Sequence, residues 1–279
     1  MEKLVSLYPD DATYQKEFAT LLAWIADTSR SQGHFGAAIE ARSRQISVLE
    51  HVLAGTRDSD ARSKLMSAHE GLGLLFNDTG RTDDALTQLR AALDEANQVI
   101  PIEPHNALWK SIAADARFSL AWTLLSSGQK EQSEVQTTAG CALAEELPQS
   151  YFAARTRFAA FCAMMRSRLA LADGNANQAK AYAKQALSFA RLQHTQDPTE
   201  DRYKLALAYR LIGDASQGAG DTADANSAWS AALSVLPPNV SENPIEMNGR
   251  LQLLRRMNRA GEAAQLEARL NAIGYRGQI

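Results

Sequence analysis

Residues 77–86 read NDTGRTDDAL, a short polar turn between two apolar stretches. Loosely spelled, it returns as SRSQGHFGAAI (29–39), LSSGQKEQSEV (125–135), LADGNANQAKA (171–181) and GAGDTADANSA (218–228). The glycines at its centre are Gly33, Gly80, Gly128, Gly174 and Gly220, at intervals of 47, 48, 46 and 46 residues. A fixed period of this size means one structural unit stacked on its copies. A glycine just past an apolar-periodic run supplies the left-handed residue that ends a helix. Thr82 and Thr222, two residues further on, stand where the next helix takes its cap.

The prolines support helices on both sides of each turn. Pro9, Pro101, Pro104, Pro148, Pro198, Pro237, Pro238 and Pro244 all fall between units. A proline inside a helix costs about 3 kcal/mol, so the stretches without one are read as helical. Abundant alanine and few β-branched residues point the same way. Each unit is therefore helix A, the glycine turn, helix B and a connection. The units run 11–57, 58–104, 105–150, 151–195 and 196–240, with a shortened cap over 244–279 in which Ala263 holds the small position of helix B.

Aligned on the turn glycine, small residues share a register. Seven before it stand Ala26, Gly73, Ala121, Ser167 and Gly213, and five after it Ala38, Ala85, Ser133, Ala179 and Ala225. Twelve after it stand Gln45, Ala92, Gly140, Ala186 and Ala232. Small side chains at these places let two helices approach closely, and a lone pair of such helices cannot bury its apolar surface, so neighbours must stack.

This register resembles the tetratricopeptide repeat. The fifth unit carries it through Tyr209, Ile212, Gly213, Gly220, Ala225, Trp229, Ala232 and Pro237, and the second through His69, Leu72, Gly73, Phe76, Gly80, Ala85, Leu89 and Ala92. The first unit has Arg42 where an aromatic is expected. The period departs from that family's 34 residues, and the extra length is read into helix B and the connection after it. The resemblance implies an all-α, right-handed α-solenoid, a single superhelix over 1–279, that binds a protein or peptide. It is similar to the regulatory regions of larger bacterial signalling proteins, and the opening MEKLVSLYPDDATYQKEF reads as a cut into such a longer chain. A small-molecule sensor controlling an output domain and a homo-oligomerisation module are the alternatives.

Chemistry is sparse. His69-Glu70 lacks the second histidine of a zinc helix, because residue 73 is glycine, and the five histidines lie in different units. There is no phosphate-binding glycine loop and no nucleophile elbow. No enzyme, cofactor or metal site is expected. Cys141 and Cys162 have no metal or redox spacing and read as small core residues. The net charge of −3 implies neither nucleic acid nor a membrane surface. From Asn248 onward, however, six Arg face two Glu, which reads as the solvated face of a basic cap. No apolar run reaches a membrane span and no signal peptide opens the chain, which favours a soluble, cytoplasmic setting over a periplasmic one.

In the resembling family the A helices line the concave groove. In this register the groove holds Asp27, Arg30, Glu70, Asn77, Asp78, Phe118, Trp122, Phe161, Met164, Met165, Arg168, Arg210 and Asp214. The Lys and Asn set with which some relatives clamp a peptide carboxylate is missing, with Glu70 and Leu74 in the second unit. Phe118 and Trp122 are four apart, as are Phe161 and Met165, so each pair shares a helix face. They either pack the third A helix on the fourth or form an exposed anchor, with Arg168, Arg210, Asp214 and Asn77 as a polar rim and Asp115 opposing a basic partner.

Overall fold

The computed structural model describes residues 11–192, 198–237 and 242–277. Among them are twelve α-helices, one 3-10 turn and no strand. The helices are α1 Ala12–Ser31, α2 Phe35–Gly55, α3 Ser59–Asp78, α4 Thr82–Val99, α5 Ala107–Ser126 and α6 Lys130–Glu145. After the 3-10 turn Gln149–Tyr151 come α7 Phe152–Ala172, α8 Ala176–Ala190, α9 Pro198–Gly218, α10 Thr222–Val235, α11 Pro244–Arg256 and α12 Ala260–Ala272. They pair as antiparallel hairpins, each odd helix packs on the next odd helix, and the result is an all-α solenoid.

The turns are built alike. Gly33, Gly80, Gly128, Gly174 and Gly220 have φ between +73° and +81°, and Gly274 has +76°. In the first turn the Gly33 amide donates to Arg30 and the His34 amide to Ser29, which satisfies the last carbonyls of α1, and the same pair of bonds recurs at every glycine turn. Asn258 (φ +56°) makes these bonds in the last hairpin, where glycine is absent. The caps differ from expectation. Thr222 is already the first helical residue, and Asp221 before it accepts from the Asp224 amide. Thr82 likewise opens α4 after Arg81. Asp or Asn also caps α1, α3, α5, α8 and α11.

The small register marks the close approaches. Ala26, Ala38, Ala85, Ala121, Ser133, Ser167, Ala179 and Ala225 have no exposed surface. Ser133 Oγ donates across to the Ala121 carbonyl at 2.8 Å, and Ser167 Oγ to Ala179 at 2.9 Å. At Gly213 a Cβ would stand 2.4 Å from the Trp229 ring, and at Gly73 2.7 Å from Leu89. Arg42, in the aromatic position of the first hairpin, is buried against Gly71, pairs with Asp27 and donates to Gln45 at 2.8 Å.

The helix lengths extend the reading of the period, and the solvated basic cap also makes ion pairs of its own. The A helices α1 to α9 span 20 or 21 residues, while B helices shorten from 21 in α2 to 14 in α10. The extra length therefore lies in helix A in every unit, in helix B in the first units, and in the connections after the later B helices. The arginines of the last hairpin are largely engaged within the fold: Arg250 donates to the Pro237 carbonyl, Arg255 pairs with Glu267, Arg256 with Asp214 and Arg259 with Glu262. The cysteines are core residues, as expected, but they are also bonded. A Cys141–Cys162 disulfide ties α6 to α7, with Cα atoms 5.7 Å apart. Hairpin stacking brought together two residues whose spacing carried no signal.

The solenoid comes round on itself. Met247, Leu251, Leu254, Ala263, Leu266, Leu270 and Tyr275 share one apolar cluster with Phe35, Ala38 and Leu75. Tyr275 packs on Phe35 at 5.8 Å, and the Arg276 amide donates to the Asp78 carbonyl at 2.6 Å. The last hairpin thus lies over the turn ends of the first two.

Candidate functional site

The inner faces of α1, α3, α5, α7, α9 and α11 carry a polar layer, whose side chains meet from α1 to α3, α3 to α5, α5 to α7 and α9 to α11. Arg30 pairs with Asp78 at 2.6 Å, Asp115 with Arg157 through two bonds of 2.5 and 2.8 Å, and Asp214 with Arg256 at 2.5 and 3.0 Å. Ser119 donates to Glu70 at 2.8 Å, Asn77 to Thr123 at 2.7 Å and Arg168 to Ser126 at 3.2 Å. These long polar side chains exist on helix faces that would otherwise meet water, so the pairs form where the helices converge.

Burial shifts the ionisation of this layer. Glu70 is raised to about 8, first by burial and then by the Asp115 charge, so its carboxyl is mostly protonated at neutral pH. Burial also raises Asp78, and Arg30 only partly offsets it. Arg168 is lowered to about 10, by burial first and the charge of Arg210 second. Burial lowers Arg210 as well.

The eight expected site residues divide. Phe118 and Met165 are core: Phe118 stacks on Phe158 and Phe161 at 5.9 and 5.8 Å, and both residues lie in the cluster that joins α5, α6 and α7. Met164 is buried too. The exposed patch expected there narrows to Trp122 and Phe161, both half-buried. A helix face four residues wide in a solenoid is shared between the groove and the next helix, and the bulky apolar members go to the helix. Arg168 does more than flank Trp122: its guanidinium lies 3.6 Å over the indole. Asp214 is consumed by Arg256 and by Trp229 Nε1 at 2.9 Å. Asn77 keeps Oδ1 buried without a partner, and Arg210, one turn before Asp214 on α9, keeps Nε buried without one. Asp115, expected to oppose a basic partner, is bonded to Arg157 instead.

Sequence reading missed Tyr203, Arg157, Arg256 and Tyr275. The first three sit on A helices, so their register was available. Tyr275 follows the last turn and reaches the inner space only because the solenoid closes. Its hydroxyl accepts from Asn248 at 3.3 Å, and burial, then Asp78, pushes its pKa up. Outside this space, an open cleft of about 210 Å³ is lined by the disulfide, Arg155, Arg166, Gln185 and Phe189. Among the described residues no three His, Cys, Asp or Glu gather as metal ligands, and no helix is long and apolar enough to cross a membrane.

No family model matches the sequence, and no curated protein matches it. Solved structures do resemble the fold. BtubC from P. vanneervenii is 18% identical with a TM-score of 0.61, over 86% of this chain and 90% of that one. Rap protein complexed with Competence and Sporulation Factor is 11% identical with a TM-score of 0.54, over 93% of this chain and 78% of that one. A TPR repeats protein from Bacteroides fragilis is 13% identical with a TM-score of 0.30, over 90% and 98%. The likeness to the first two is one of fold. The chain has a tetratricopeptide-like helical-repeat fold.

Proposed function

We propose that this tetratricopeptide-like superhelix is a protein- or peptide-binding module, working through the inner face of its A helices as the regulatory region of a larger bacterial signalling protein. The observation that carries the reading is the inner layer itself. A solenoid that needed only to stand would fill that surface with short solvated side chains, whereas here Trp122, Phe161, Arg168 and Arg210 gather with little neutralising charge. Rap protein, of similar fold, is described in complex with a factor. Among the described residues no nucleophile, base and anion-binding donor converge on a reacting position, and we read the module as a binding one.

Selection of a displayed random peptide library on the purified chain tests this. Bound peptides should lose tenfold or more in affinity with Trp122→Ala, about 1.4 kcal/mol or more, while the variant's melting temperature stays within a few degrees of the parent. Trp122 acting as core alone would instead cost about 3–5 kcal/mol of stability. That outcome, or a library that yields no binder, sinks the reading.

One observation favours a second reading. Leu21, Trp24 and Ile25 form an exposed apolar stripe on α1, with Trp24 70% exposed. A terminal repeat normally turns a polar face outward. Homodimerisation through α1 predicts that light scattering gives a dimer mass, reduced to the monomer by Trp24→Glu.

A further inference from the structure

We propose that the inner space holds a specific oxyanion site between α7 and α9, formed by Arg168 and Arg210, that receives a carboxylate or phosphate group of the bound ligand. The proposal rests on the inner face being the binding face, and names the chemistry of what enters.

Arg30, Arg157 and Arg256 line the same space, and each holds a carboxylate of a neighbouring A helix. Arg168 and Arg210 hold none. Arg168 has one hydrogen bond to a neutral hydroxyl, Ser126, and its Nη1 is buried without a partner. Arg210 Nε is also buried without a partner, and among the described residues its side chain makes no hydrogen bond or ion pair. Arg168 and Arg210 are 42 residues apart, the separation at which Asp115 meets Arg157, Ser126 meets Arg168 and Asp214 meets Arg256 on successive A helices, so the register sets the two cations side by side. The acid that both feel, Asp214, is already filled by Arg256 and Trp229.

Two half-buried like charges without a counter-ion repel each other, so the fold bears a penalty that an incoming anion removes. Guanidinium forks match two-oxygen anions, because two parallel N–H donors meet both oxygens at once. Trp122 holds the Arg168 guanidinium from one side, 3.6 Å over the indole. On the other side, the void by Arg210, lined by Tyr203, Gly249 and Leu253, is only about 10 Å³, room for about one water. The anion must therefore come from the inner space.

The probes are inorganic phosphate and acetyl-tetraglutamate, with acetyl-tetraglutamine and chloride at matched ionic strength as references. Either anion should raise the melting temperature of the purified chain by several degrees and quench tryptophan fluorescence on a saturating curve. Response to tetraglutamate alone identifies a carboxylate-bearing chain, and response to phosphate alone a phosphate group. Arg168→Gln/Arg210→Gln should lose the response at least tenfold yet melt no lower than the parent in chloride, since the repulsion is gone. Arg210→Gln alone, which keeps the Trp122 stack, should lose most of it. Arg269→Gln, at an exposed arginine, should keep it. The site is refuted by a response that survives the double change, or by none to either anion in the parent. A library-selected peptide that binds parent and double variant equally refutes it too, while leaving peptide binding by the inner face intact.

Discussion

Ala225 touches the A helix of its own hairpin with no exposed surface, so every added carbon there must displace a neighbour. Ala225→Leu should cost roughly 1–3 kcal/mol in urea unfolding, and an unchanged midpoint would show that the helices do not approach there. Residues of this kind were readable from the repeat, because a small side chain recurring at one register has one physical reason. Asn258 was not. The alignment places it at the turn position, five before Ala263, yet only its positive φ shows that an asparagine does the work of glycine. Phe118 and Met165 show the converse limit. Their four-residue spacing fixes a face, and only packing decides whether the next helix or the groove takes it.

Between elements, the telling contact is α3 on α5. Glu70 is held by Ser119 in a place where burial raises it to about 8, against an ordinary value of 4.5 in the open chain. Between those values the folded chain keeps a proton that the unfolded chain has released. Stability must then fall as pH rises through that window, by at most roughly 1.4 kcal/mol per unit. Glu70→Gln keeps the partner and cannot ionise, so its unfolding midpoint should change less between pH 5.5 and 8.5 than the parent's; equal slopes would place the proton elsewhere. The second contact is α6 on α7. The Cys141–Cys162 bond closes a loop with a sequence separation of 21. Reduction, or Cys141→Ser/Cys162→Ser, should cost about 3 kcal/mol by the chain-entropy account. A melting temperature indifferent to reductant would mean that the bond does not form. Neither contact was legible, since each joins residues of different hairpins whose angle the sequence does not state.

At the scale of the whole molecule, the period predicted stacked hairpins but not where the stack ends. Closure depends on a small rotation repeated at each hairpin, and the long A helices make that rotation different from the one a 34-residue repeat would take. The tail carries the result: Tyr275 against Phe35, Arg276 on the Asp78 carbonyl, Ile273 by Gly33. Two turn glycines separate this contact from the local need for a left-handed residue. Gly128 has φ +80° and nothing within 4 Å of an added Cβ, so Gly128→Ala should cost only the conformational penalty, about 1–2 kcal/mol. Gly80 has φ +75°, but its Cβ would stand 2.9 Å from Arg276 Cβ. Gly80→Ala should therefore cost more than Gly128→Ala and push the tail away. Small-angle scattering should then show a larger radius of gyration for Gly80→Ala and for Tyr275→Ala, and an unchanged one for Gly128→Ala. Equal costs and equal radii for the two glycine changes would mean that the last hairpin does not rest on the first two in solution, and the inner space would be an open groove.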